Sequence, residues 1–273
     1  MCATCGCGTD EVRVSGEVSG PAHDHPHDDD QGHSHGHSHA HEHPHDHHQD
    51  HEHAHDNDLR THTIELETAV LAKNDELAAA NRAWLTGQGI VALNLMSSPG
   101  AGKTTLLERT IGENGAGRPI SVIEGDQETP FDADRIRAAG AKAVQINTGS
   151  GCHLDATMVR RGLDSLEPAD GDLVVLENVG NLVCPALFDL GESRKVVIIS
   201  VTEGDDKPLK YPHMFAAADL VVVNKIDLLP YVDFDVDRCE KDARSLNHDV
   251  EWMPMSAKSG EGLDAWYQWL RKL

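Results

Sequence analysis

A short β-rich run, Ile90–Leu95, leads into Ser97-Ser98-Pro99-Gly100-Ala101-Gly102-Lys103-Thr104-Thr105, and a helical stretch, Thr104–Ile111, follows. Few segments constrain a fold as tightly. Two closely spaced glycines at a strand-to-helix turn permit positive φ and a close backbone approach, and the helix start directs unpaired N–H groups at a phosphate. The segment is a Walker A loop with one departure, Ser97 standing where G-x-x-x-x-G-K-[ST] begins with Gly. In such a loop Gly100, Ala101, Gly102 and Thr105 line the phosphates, Lys103 bridges the β- and γ-phosphates, and Thr104 ligates Mg²⁺. The competing reading is an ordinary strand-to-helix turn that happens to contain Gly-Lys-Thr.

The rest of the body repeats the strand-then-helix pattern. Strand runs at Ile120–Ile123, Ala143–Ile146, Leu173–Leu176, Lys195–Val201, Leu220–Val223 and Val250–Met253 alternate with helical stretches at Ala133–Ala139, Leu154–Leu166, Val236–Leu246 and Leu263–Leu270. This predicts an α/β fold of the P-loop NTPase kind, a mainly parallel central sheet with helices on both faces. Ligands of such sheets sit at the carboxyl ends of the strands. Ahead of the first strand, Thr63 to about Gly87 is rich in Ala, Leu and Glu with apolar residues three to four apart, which predicts an amphipathic helix.

Base selection is written after the Leu220–Val223 run, at Asn224-Lys225-Ile226-Asp227. An Asp here accepts hydrogen bonds from guanine N1 and N2, whereas adenine would leave the carboxylate desolvated and unpaired. Ser256-Ala257-Lys258, after the last strand, matches the second guanine loop, and the two together favour GTP over ATP. Two acidic segments close strands: Glu124-Gly125-Asp126 and Glu177-Asn178-Val179-Gly180. Asp126 is the candidate for Mg²⁺ or water positioning. Glu177 replaces the Asp of a D-x-x-G switch, with its Mg²⁺ contact expected through water, and the Gly180 N–H is the candidate γ-phosphate sensor. Glu124 and Glu128 read equally well as caps of the following helices. No arginine finger or catalytic Gln is evident, Gln127 being the nearest candidate, so intrinsic hydrolysis should be slow.

The N-terminal quarter has another character. Fifteen of the 19 histidines lie between His23 and His55, mostly at alternate positions among Asp, Glu, Ser and Gly. Such a segment cannot bury a core. Three parts follow: a cysteine tip (1–8), a disordered His/Asp-rich linker (9–62) and a folded body (63–273). Residues 1–62 carry 13 acids against 2 bases, and the whole chain has a formal charge of -23. That balance argues against nucleic-acid or anionic-membrane binding. The first residues show neither a basic nor an apolar leader, and no apolar run reaches membrane-spanning length, so a cytoplasmic protein is expected.

Cysteine usage points to metal. Cys2, Cys5 and Cys7 offer three thiolates within six residues, and a free amine would add a donor suited to square-planar Ni²⁺; Ni, Cu and Zn all take such ligands. The alternative is a cluster of oxidisable thiols without function. Cys152-His153, on a glycine-rich segment, and Cys184, four residues past Gly180, each follow a strand end. Metal held by these three would move with the switch. Against this stands the ordinary reading of a packed cysteine and a backbone-satisfied histidine. The linker imidazoles can hold divalent ions in exchange or serve as a charged spacer.

Taken together, Cys2–Cys7, the His-rich segment, Ser97–Thr105, Glu124–Asp126, Gly151-Cys152-His153-Leu154-Asp155, Glu177–Asn181, Cys184-Pro185, Thr202–Pro208, Asn224–Asp227 and Ser256–Lys258 resemble the hydrogenase nickel-incorporation GTPases, the HypB family. The resemblance implies a slow GTPase that forms a nucleotide- or metal-dependent homodimer and hands nickel to the [NiFe]-hydrogenase large-subunit precursor, with a zinc-binding HypA-type nickel chaperone as partner. It implies a tight nickel site at Cys2, Cys5 and Cys7 and a nickel or zinc site at Cys152, His153 and Cys184. Ser97 in the Walker loop is also usual in that family. The rival readings are a urease accessory GTPase, whose Cys-Pro-His order differs from Cys152-His153, and a nickel or zinc storage protein with a vestigial phosphate loop.

Overall fold

The computed structural model describes residues 14–15, 55–126, 131–149 and 151–273, with side chains from residue 68 onward. Among the described residues, 14–15 and 68–273 belong to one compact unit. The expected tip cysteines, most of the His-rich linker, Gln127 and Glu128 lie outside the described residues.

The strands are β1 (Val14–Ser15), β2 (Val91–Ser97), β3 (Ile120–Asp126), β4 (Lys142–Asn147), β5 (Leu173–Glu177), β6 (Arg194–Ser200), β7 (Leu220–Asn224) and β8 (Glu251–Pro254). The helices are α1 (His55–Gly87), α2 (Lys103–Gly112), α3 (Phe131–Ala138), α4 (Ala156–Leu166), the short α5 (Lys207–Lys210) and α6 (Pro212–Ala216), α7 (Val236–Leu246) and α8 (Leu263–Lys272). They build one sheet in the order β1-β4-β3-β5-β2-β6-β7-β8, parallel throughout except for β1, which runs antiparallel to β4. The expected mainly parallel, helix-covered sheet is the observed one.

Parallel strands are covered on both faces, so they read as continuous apolar runs rather than as alternation. Val196–Ile199 of β6 and Leu220–Val223 of β7 are fully buried. One layer joins α2 and α8 to the sheet through Leu106, Leu107, Trp266 and Leu270, with the Trp266 indole donating to Thr110 Oγ1 at 2.9 Å. A second packs α4 on β3 through Val159, Leu163 and Ile123, and a third packs α6 and α7 on β6 and β7. Asp155 caps α4 by accepting from Met158 N at 2.7 Å, and Asp235 caps α7 by accepting from Arg238 N at 3.0 Å.

Two features depart from expectation. The first helix begins at His55 rather than Thr63, inside the segment expected as unstructured linker. Residues 55–63 contain no Gly or Pro, so a helix nucleated by packing from Thr68 onward extends backward at little cost. The same linker range also holds β1, a two-residue pairing too short to leave a periodic signature. Among the described residues, no helix is long and apolar enough to cross a membrane.

The sheet reverses direction of growth at β2. From β2 the chain passes to β3 and β4 on one side, returns to β5 beside β2, then crosses to β6, β7 and β8 on the other. Such a switch point opens a crevice at the carboxyl ends of the strands, and among the described residues Ser97–Thr105, Asp126, Cys152-His153, Glu177–Gly180, Cys184, Asn224–Asp227 and Ser256–Lys258 all lie at or follow those ends.

Candidate functional site

The loop between β2 and α2 is held open by its glycines. Gly100 has φ 74° and Gly102 φ 99°, conformations that L side chains rarely adopt. At Gly102 a Cβ would also stand 2.5 Å from Asn224 Nδ2, so the site has no room for one. The Lys103 ammonium donates to Ser97 Oγ at 2.9 Å, and that hydroxyl donates to Ser98 O. Ser97 thus occupies the first motif position as a resting partner for the lysine, a role glycine cannot fill.

The base loop is fastened to the phosphate loop. Asn224 Nδ2 donates to Ala101 O at 2.8 Å, while its Oδ1 accepts from Lys225 N and Ala257 N. Lys225 Nζ donates to Gly100 O at 2.7 Å. Asp227 accepts from Ser256 Oγ at 2.5 Å, and Arg109 supports the Ala257 and Lys258 carbonyls at 3.0 Å. Asp227 and Ser256–Lys258, 29 residues apart in the Asp227–Ser256 pair, therefore form one wall. A carboxylate there presents acceptors to a purine edge carrying N–H donors.

Behind Lys103 sit two buried carboxyl groups. Thr104 Oγ1 donates to Glu177 Oε1 at 2.7 Å, a direct contact. Burial raises the Glu177 pKa, with the Lys103 ammonium and the Thr104 hydroxyl pulling it back. Glu124 is pushed up to about 8, first by burial and then by the negative charges of Glu177, Asp126 and Asp132. The Ala133 N–H at the start of α3 opposes the shift by favouring the charged form, the weakest of these influences. One oxygen of each, Glu177 Oε2 and Glu124 Oε2, is buried without a hydrogen-bond partner. Orphaned carboxylate oxygens beside a threonine hydroxyl fit a hard divalent cation. Asp126 ends β3, and its carbonyl accepts from Thr148 N at 2.9 Å, which ties it to the glycine-rich segment.

The switch segment lies against the phosphate loop. At Gly180 a Cβ would fall 3.0 Å from Pro99 Cα and 3.1 Å from Pro99 N, a tight contact that would make the phosphate loop give by a few tenths of an ångström. Cys152, His153 and Cys184 meet beside it. Their candidate donor atoms lie within 4.8 Å of one another, and Cys152 Sγ is 3.7 Å from His153 Nδ1. The imidazole stacks on Phe188 with centroids 4.0 Å apart. Burial holds His153 below its usual pKa despite the opposing charge of Asp155, which favours the neutral, ligating form. Cys239 lies buried in α7, away from the site, where it packs as a small apolar side chain, with its thiol pushed up to about 12 by burial. A cleft of about 320 Å³, lined by Ser98, Pro99, Cys152, Gly180, Lys207 and Tyr211 among others, joins Cys152 to the phosphate loop.

Sequence reasoning gave Glu203 no role. Its carboxylate accepts from the Ser98 hydroxyl, lies 3.7 Å from Lys207 Nζ, and keeps Oε1 buried and unpartnered. Glu203 entered the sequence reading only inside the Thr202–Pro208 segment; that β6 adjoins β2 is a fact of topology. Asn178, inside the switch motif, was likewise read only as part of the motif.

The fold and these loops define a P-loop nucleotide-binding protein of the GTPase type. A family model described as "CobW/HypB/UreG, nucleotide-binding domain" matches residues 91–254, more than half of the chain. The chain is 57% identical over 213 residues to "Hydrogenase maturation factor HypB" of Azotobacter chroococcum, covering 78% of this chain and 70% of that protein. It is 46% identical to the protein of the same name from Escherichia coli K12, across 99% of this chain and 98% of the relative. The structure of HypB from Helicobacter pylori in complex with nickel superposes with a TM-score of 0.69 at 40% identity, covering 73% of this chain and 94% of that one. The chain belongs to the HypB hydrogenase maturation factors of the CobW/HypB/UreG family.

Proposed function

We propose that this protein hydrolyses GTP and uses the reaction to hand nickel to the maturing large subunit of a [NiFe]-hydrogenase. The observation that carries the proposal is the single cleft in which Cys152 lies beside Ser98, Pro99 and Gly180, with His153 and Cys184 donors within 4.8 Å. The nickel complex of the related Helicobacter pylori protein supports nickel as the cargo.

In this scheme the backbone of Gly100–Gly102 and Lys103–Thr105 holds the phosphates, and Lys103 leaves Ser97 to bridge the β- and γ-phosphates. Asp227, Asn224, Lys225 and Ser256–Lys258 select guanine. Thr104 and Glu177 would hold Mg²⁺, which supplies charge neutralisation on the phosphate oxygens. Asp126 orients the attacking water, and the Gly180 N–H senses the γ-phosphate. Cys152, His153 and Cys184 hold nickel, or zinc in exchange, at an interface between two copies of the chain. The His-rich linker stores nickel, Cys2, Cys5 and Cys7 capture it, and a HypA-type chaperone and the hydrogenase precursor are the partners. The protein works in the cytoplasm, without nucleic acid or membrane.

The test is a single-turnover reaction of nickel-loaded, full-length protein with GTP, following phosphate release and nickel transfer to a chelator together. Both should proceed at one slow rate, and Lys103→Ala should abolish both. Nickel transfer at an unchanged rate without hydrolysis would overturn the proposal.

A further inference from the structure

Proximity alone does not explain how a change at the phosphate loop reaches Cys152 and His153. Those residues belong to the segment after β4, whereas Gly180 and Cys184 belong to the segment after β5. Two side chains link the two segments directly, and the buried one is Asn178. Asn178 is 1% exposed, and its Oδ1 accepts both from Val179 N at 3.0 Å and from Leu154 N at 3.1 Å. Accepting from its neighbour's amide locks this carbonyl to the local backbone, so a shift of the switch carries the side chain with it. Its other end is tethered: Nδ2 donates to Asn94 Oδ1 at 3.3 Å, and Asn94 Nδ2 donates to Glu192 Oε1 at 3.2 Å.

The far end of the metal segment is fixed independently. Asn74 Oδ1 accepts from Ala156 N and Asn81 Nδ2 donates to Ala156 O, both at 2.9 Å, so α1 grips the chain just past the donors. Cys152–Leu154 is therefore a short span between a fixed point at Ala156 and a point on the switch. A second link, Asn181 Nδ2 to Cys152 O at 3.3 Å, joins the same two segments. Both links leave the switch on either side of Gly180, the residue seated against Pro99.

We propose that Asn178 is the positioning residue that transmits nucleotide state to the metal donors, by carrying the Leu154 amide, and Cys152-His153 with it, when the switch moves. This rests on the proposed coupling of GTP to nickel at this site and names the group that performs it. Asn178 is not among the residues proposed above to hold nucleotide or metal. A purely structural residue would weaken nickel binding equally in every nucleotide state, whereas a transmitter changes the ratio between states.

The experiment uses the full chain carrying Cys2→Ser, Cys5→Ser and Cys7→Ser, so that thiolate-to-nickel absorption reports Cys152 and Cys184. Ni²⁺ is titrated with GDP or a non-hydrolysable GTP analogue bound. The parent should show affinities differing by roughly 5- to 150-fold between the two states, and Asn178→Ala should reduce the ratio below about 2 while nickel still binds. A parent ratio of 1 defeats the proposed function and the inference together; an undiminished ratio in Asn178→Ala defeats the inference alone. Should the variant fail to fold, amide exchange in the metal-free parent decides. The Leu154 amide should change protection between the nucleotides together with Val179 and Gly180, and change at 179–180 without change at Leu154 overturns the proposal.

Discussion

Replacing Glu124 by Gln isolates the cost of a buried acid beside the phosphate loop. The folded protein holds this carboxyl at about 8, against 4.5 for an ordinary glutamate. Below pH 4.5 the group is protonated in both folded and unfolded chains and has no effect on the balance. As pH rises from there the unfolded chain releases the proton and the folded chain retains it, so wild-type stability falls until about pH 8 and then levels off. At about 1.4 kcal/mol per unit, the upper bound of this loss is near 5 kcal/mol, and relaxation of the surroundings brings the expected value to ~2–5 kcal/mol. Glutamine is close to glutamate in shape and carries no titrating proton. Urea denaturation of nucleotide-free, metal-free wild type and Glu124→Gln at pH 5, 6, 7 and 8 should therefore show the variant gaining on wild type at each step. A stability difference that stays constant with pH, or that moves toward wild type, would refute the reasoning.

Three further outcomes follow from the geometry. Gly180→Ala brings a methyl to 3.0 Å from Pro99 Cα and pushes switch and phosphate loop apart by a few tenths of an ångström; unfolding should cost ~1–3 kcal/mol less and GTP turnover should fall at least about tenfold, measured by melting and phosphate release. Asp227→Asn removes the charged acceptor facing guanine, so GTP affinity should drop on the order of 100-fold while xanthosine triphosphate, which presents an acceptor there, gains, as read by competition with a fluorescent nucleotide. Cys152→Ser with Cys184→Ser should leave nickel binding by the N-terminal 62 residues intact in equilibrium dialysis and stop its delivery to the hydrogenase precursor.

Local chemistry was legible where one segment carries it whole. Ile90–Thr105 encodes strand, loop and helix within a few residues, because the glycines, the lysine and the apolar run each have a single good use there. The grouping of Cys152 and His153 with Cys184 was legible for a similar reason: both segments follow strand ends, and parallel strands deliver their ends to one edge. Partnerships across the sheet were not legible. Glu203 reaches Ser98 only because β6 lies next to β2, and Asn178 reaches Leu154 only because the segment after β4 lies over the end of β3, the neighbour of β5. Strand order is set by long-range packing, and a lone buried Glu or Asn leaves no periodic trace. The early start of α1 and the two-residue β1 escaped for the opposite reason, since propagation from a packed helix and a single short pairing require almost nothing of the sequence.

The most direct test of GTP-driven nickel delivery is made in cells. A strain lacking this protein is supplied with wild type or Lys103→Ala, and hydrogenase and urease activities are measured with scarce and with added nickel. Wild type should restore hydrogenase at low nickel and Lys103→Ala should not, with urease indifferent to both. Equal restoration by Lys103→Ala would contradict the account and leave nickel storage by the first 62 residues as the function.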